Sequence, residues 1–104
     1  MQYITVSITA PDKNISKKIT ATLLKNKLVS CVNIISGIES VYKWKGKINK
    51  KKEILLICKS TKSNFKKIIS AVKKNHPYEI PEIVCFDIKD GNKDYLKWIN
   101  DNVL

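Results

Sequence analysis

Apolar residues recur along this chain with two different periods, and each switch between them marks an element. Residues 2–9 alternate, with Ile4, Val6 and Ile8 on one face and Tyr3, Thr5, Ser7 and Thr9 on the other, which predicts a half-buried strand. Pro11-Asp12 stops it, and Asp12 or Asn14 can cap a helix in which Ile15, Ile19 and Leu23 recur every four residues. The helix is expected to end near Asn26-Lys27, where cations suit the negative end of its dipole.

From Leu28 to Trp44 the chain becomes β-branched and apolar, with Ser36-Gly37 predicting a bulge in a long strand and Lys45-Gly46 the turn of a hairpin. The return strand opens on a lysine-rich arm, Lys47 to Glu53, before the buried-looking run Ile54-Leu55-Leu56-Ile57-Cys58. Lysines on such an arm discourage unwanted edge pairing. A second helix follows, with Thr61 or Ser63 near its cap and Phe65, Ile68, Ile69 and Val72 on one stripe. It must stop before Pro77, because proline disfavours helical geometry in the residue preceding it. His76 to Glu82 is then an ordered loop, Ile83 to Ile88 a last strand, and Asp90-Gly91-Asn92 a turn into a short helix carrying Tyr95, Leu96 and Ile99.

The order β-α-β-β-α-β-α predicts an α+β fold: a ferredoxin-like βαββαβ sandwich, its antiparallel sheet covered by helices on one face, with an additional C-terminal helix. The 104 residues suit a single domain spanning 1–104, whose core is thin enough for oligomerisation to help.

Charge alters this picture less than its size suggests. The net charge is +11, which invites a nucleic-acid reading, but all 20 basic residues are lysine. Arginine is the side chain suited to bidentate phosphate and guanine contacts. With sixteen isoleucines and nine asparagines beside them, the lysines read as the codon bias of an AT-rich genome, and no specific nucleic-acid partner is expected. The absence of arginine also disfavours an acylphosphatase-like enzyme on this fold. An RNA-recognition module needs aromatics on its third strand, and Lys47 to Lys59 has none. No glycine-rich phosphate loop, H-E-x-x-H or G-x-S-x-G motif is present, so no enzymatic activity is expected.

Cys31, Cys58 and Cys85 each sit in an apolar run, an odd count without C-x-x-C spacing, which predicts buried free thiols in a reducing, cytoplasmic setting. No secretory signal and no membrane-spanning run is apparent.

The segment from His76 to Glu82 holds an imidazole, a phenol, two carboxylates and two prolines within seven residues. It reads as a preformed ligand or metal pocket or, equally, as a rigid crossover whose polar groups bond to backbone. One histidine cannot close a transition-metal site, so thiol, carboxylate or neighbouring-subunit donors would be needed. Tyr42 and Trp44, beside Lys43 and Lys45, suggest an aromatic strand covered by an oligomer partner, with base stacking the alternative. Lys59, after the apolar run, is a candidate pocket cation or a plain surface lysine.

Several of these segments match one family. Thr9-Ala10-Pro11-Asp12, Ser30-Cys31-Val32-Asn33-Ile34, Ser40 to Ile48, Lys59, His76-Pro77-Tyr78-Glu79-Ile80-Pro81-Glu82-Ile83, and Tyr95-Leu96-Lys97-Trp98 after Gly91-Asn92 occur in order, and the chain from Tyr3 to Trp98 resembles the CutA divalent-cation tolerance proteins. The resemblance implies a ferredoxin-like subunit in a tight homotrimer, with hairpins extending the sheets across subunit boundaries. It also implies tolerance or binding of copper or another divalent metal. Some bacterial members carry a cysteine before the Thr-Ala-Pro motif and two histidines before Pro-Tyr; here Ile8 and Asn75 replace the cysteine and the first histidine, leaving His76, with Cys31 as the other soft donor. The expected cleft, at or near a subunit boundary, gathers His76, Tyr78, Glu79 and Glu82 with Lys59, Trp44 and Tyr42. The alternative is a trimer that binds a small anionic metabolite at subunit clefts, as the architecturally similar PII proteins do.

Overall fold

The computed structural model describes residues 2–104 and runs β1 (Tyr3–Ala10), α1 (Lys13–Lys25), β2 (Cys31–Trp44), β3 (Lys47–Thr61), α2 (Phe65–Asn75), β4 (Ile83–Asp87) and α3 (Lys93–Asp101), with a short 3-10 turn, Lys62–Asn64, ahead of α2. The strands form one antiparallel sheet in the order β2-β3-β1-β4. Each β-α-β crossover therefore spans an intervening antiparallel strand, which is the ferredoxin-like α+β sandwich expected from the element order.

Local chemistry explains most element ends. Asp12 caps α1 by accepting the Ile15 N–H at 2.8 Å. At the other end Lys27 turns left-handed (φ 55°), and the N–H groups of Leu28 and Lys27 reach back to the carbonyls of Leu23 and Leu24. That is a Schellman closure with lysine where glycine is preferred. The hairpin turn has positive φ at both Lys45 (50°) and Gly46 (77°), the type I′ geometry that matches strand twist. The irregularity foreseen at Ser36-Gly37 falls between Ile35 and Ile38, with Gly37 at φ 76°.

The core lies between one sheet face and two helices. Ile4, Val6 and Ile8 of β1 and Leu56 and Cys58 of β3 pack with Ile19 and Leu23 of α1 and Ile68 and Val72 of α2. Leu28 and Val29 join them from the connection before β2 rather than from the strand itself, which starts at Cys31. Helix α3 packs against β3 and buries Ile99.

Two local expectations are corrected. Neither Thr61 nor Ser63 caps α2, because the 3-10 turn intervenes: Thr61 Oγ1 instead lies 3.1 Å from Ser63 Oγ and accepts from Asn64 Nδ2 at 3.1 Å. Of the three free thiols only Cys58 is buried; Cys31 and Cys85 are half-exposed, because their strands β2 and β4 are the sheet edges.

Candidate functional site

Pro11 ends β1 just after Ala10 pairs with Ile54, so the outer arm of β3 has only β2 beside it. The loop that follows α2 reaches this arm through Tyr78, which contacts Glu53 and Lys51. Strand period brings Ser40, Tyr42 and Trp44 to the same hairpin face as Lys51 and Glu53, since Ser40 pairs with Lys51 and Ile38 with Glu53. Together with Thr9, Tyr78, Glu79 and Glu82 these side chains line a cleft of about 710 Å³.

His76 fastens the loop. It is 9% exposed, its Nε2 lies 2.7 Å from the Thr9 carbonyl, and its Nδ1 accepts the Tyr78 N–H at 3.2 Å. A carbonyl only accepts, so Nε2 carries the proton and the imidazole is the neutral Nε2–H tautomer, with its one in-plane lone pair already engaged. His76 therefore offers no free donor to a metal in this conformation. What it does is set Tyr78, whose ring lies 4.6 Å from the imidazole, centroid to centroid.

Tyr78 in turn reaches across the cleft and donates its hydroxyl to Glu53 Oε2 at 2.6 Å. Burial, then the hydrogen bond and negative charge of Glu53, raise the Tyr78 phenol above its ordinary range, so it remains a donor at all physiological pH. The Lys51 ammonium sits 4.2 Å above the Tyr78 ring, a cation–π contact. At the far side Glu82 Oε2 accepts from Ser7 Oγ at 3.3 Å.

Of the residues singled out in the sequence, Tyr42, Trp44, Tyr78, Glu79 and Glu82 come together here. Lys59 does not: it pairs with Thr5 and Cys31, several residues inward along β3, and its ammonium bonds Asn33 Oδ1. Cys31 is equally remote from His76, which bonds at the opposite end of β1. Among the described residues no three His, Cys, Asp or Glu side chains converge on a point that would hold a metal ion.

Glu53 and Lys51 were concealed in the lysine-rich arm. The available signal was position: Glu53 is the only acid between Lys47 and Lys59 and stands at the step where the arm turns apolar. The result is a local reversal of sign, with three of the chain's four glutamates on one cleft of a protein whose net charge is +11.

The family model for CutA1 divalent ion tolerance protein matches residues 4–102. A divalent-cation tolerance protein CutA from Thermus thermophilus is 40% identical over 97 residues, which cover 93% of this chain and 94% of the relative. Its solved counterpart, a divalent cation tolerance protein (Cut A1) from the same organism, superposes with a TM-score of 0.96 at 38% identity, covering 98% of this chain and 99% of that one. The crystal structure of CutA1 from Oryza sativa superposes at 0.97 and 39% identity, covering 100% of this chain and 95% of the other.

Proposed function

Because the chain belongs to the CutA1 divalent ion tolerance protein family, we propose that it serves divalent-cation tolerance as a homotrimeric, non-catalytic binding protein. In this reading copper or another divalent cation is taken up at the cleft, with Glu79 and Glu82 as accessible oxygen donors. The observation that carries it is the concentration of three glutamates, Glu53 included, at one cleft of a +11 chain. A locally negative, partly enclosed surface raises the concentration of cations even where the whole molecule repels them.

The described residues of one subunit supply no converged donor set, so in this reading the completing donors come from an adjacent copy. Support for that copy comes from the hairpin and the edge strand β4, where Val41, Trp44, Ile48, Val84 and Phe86 remain exposed. His76 is a positioning residue for Tyr78 in this scheme. Three free thiols suit a reducing compartment such as the cytoplasm, and no helix among the described residues is long and apolar enough to cross a membrane. The anionic-metabolite alternative is less supported, since the cleft sets one lysine, Lys51, against three carboxylates.

Calorimetric titration of copper(II) and zinc(II) tests the reading. The double variant Glu79→Gln, Glu82→Gln should weaken binding and His76→Ala should leave it nearly unchanged; loss only in His76→Ala would make the imidazole, not the carboxylates, the ligand. Light scattering that returns the mass of a single chain at micromolar concentration would remove the trimer.

A further inference from the structure

Glu53 is 6% exposed, yet no cation among the described residues forms an ion pair with it. The only ion pair among the described residues is Lys97–Asp101, on the surface of α3. A carboxylate with little access to water is costly unless a cation or several donors face it; the protein donor Glu53 has is the Tyr78 hydroxyl, on Oε2, while Oε1 keeps some contact with solvent. Scarcity of cations is not the cause in a chain with 20 lysines. Lys51, two residues away on the same face of β3, directs its ammonium onto the Tyr78 ring instead.

The surroundings of this unpaired charge define what would suit it. An inorganic cation needs donors converging on one point, at roughly 2.0–2.6 Å from it; among the described residues of one chain no three candidate side chains do so, and a metal would draw on a neighbouring copy. What the cleft offers is a buried carboxylate, two further carboxylates on the loop, and the aromatic surfaces of Tyr42, Trp44 and Tyr78. Separate acids joined by aromatic surface match an elongated organic cation, whose head pairs with a carboxylate while its methylenes cover the rings. The cleft volume of about 710 Å³ lies within the range of small-molecule sites, roughly 300–1,000 Å³. Lys51 already supplies the same contact intramolecularly, a primary ammonium on an aromatic face.

We propose that the cleft binds a small linear primary alkylammonium ion, with its ammonium paired to Glu53 and its stem against Tyr42 and Trp44. This inference shares the cleft with the divalent-cation reading but not its ligand, and it does not depend on that reading. A net charge of +11 repels free amines at long range, so saturable binding would have to arise from the local carboxylates.

Titration calorimetry with cadaverine, a linear diamine, provides the test. The expected result is saturable binding with one site per chain, no binding of the uncharged diol of the same length, and at least roughly tenfold weaker binding by Glu53→Gln. Absence of saturation, or equal affinity in Glu53→Gln, overturns the proposal. If that variant loses its native circular dichroism, Tyr42→Leu, checked by light scattering for an unchanged mass, replaces it: weakened binding supports the proposal and unchanged affinity overturns it. Copper(II) titrated into the same samples separates the two readings, because cadaverine binding without copper binding removes the metal reading alone, and the converse removes this one alone.

Discussion

The two halves of β3 have different surroundings. Its inner half, Ile54 to Thr61, is flanked by β1 and β2 and covered by helices, so Leu56 and Cys58 are fully buried. Its outer half, Lys47 to Lys52, has β2 on one side only, and Ile48 there is 70% exposed. Both halves are regular strand with continuous pairing to β2 apart from the bulge. A strand's hydrogen bonds therefore say little about its energetic role; what covers its two faces decides that. Glu53 stands at the boundary, buried like the inner half yet facing the cleft that the outer half helps to form.

Removing volume from the inner half has the largest expected effect. Leu56→Ala should cost about 2–5 kcal/mol in urea unfolding, because the lost methyl groups leave a cavity under α1 and α2. A cost below ~1 kcal/mol would show that the inner half is not the stabilising part and would break the comparison.

The outer half should answer through association instead. Val41→Glu places a charge on an exposed apolar position and is expected to shift the light-scattering mass toward a single chain while preserving the far-ultraviolet circular dichroism. An unchanged mass would take this part of the hairpin out of the subunit contact.

The smallest effect is alkaline. Burial pushes the Cys58 thiol from 9.0 up to about 12, with Lys59 opposing and Cys31 adding to the rise. Above about pH 9 the unfolded chain releases this proton while the folded chain retains it, so stability falls as pH rises through that window. The loss from this group should be about 1 kcal/mol between pH 9 and pH 10, measured as a steeper decline for the native chain than for Cys58→Ala. Equal slopes would mean that the inner half is wetter than its packing implies.

The fold was legible because its determinants are local. Alternation in β1, the four-residue stripe of α1, the Lys45-Gly46 turn and the stop before Pro77 are each read within a few residues, and each holds in the structure. The cleft was legible only in part. Tyr42, Trp44, Tyr78, Glu79 and Glu82 were recognised by their residue types and by resemblance. Lys59 reads as a pocket cation because it follows a buried strand; the register carries it elsewhere. Glu53 is masked in the sequence because Lys50, Lys51 and Lys52 precede it.

By itself the sequence determined the elements, their order and the family, since periodicity, capping and turn chemistry act over a handful of positions and the family motifs are contiguous. Only the tertiary structure decided that His76 is occupied by Thr9 and Tyr78, that Glu53 is buried without an ion pair among the described residues, and that Lys59 lies outside the cleft. The physical reason is that hydrogen-bond saturation and burial depend on partners distant in sequence. His76 meets Thr9 across 67 positions and Tyr78 meets Glu53 across 25, so register and chain crossing set their chemistry.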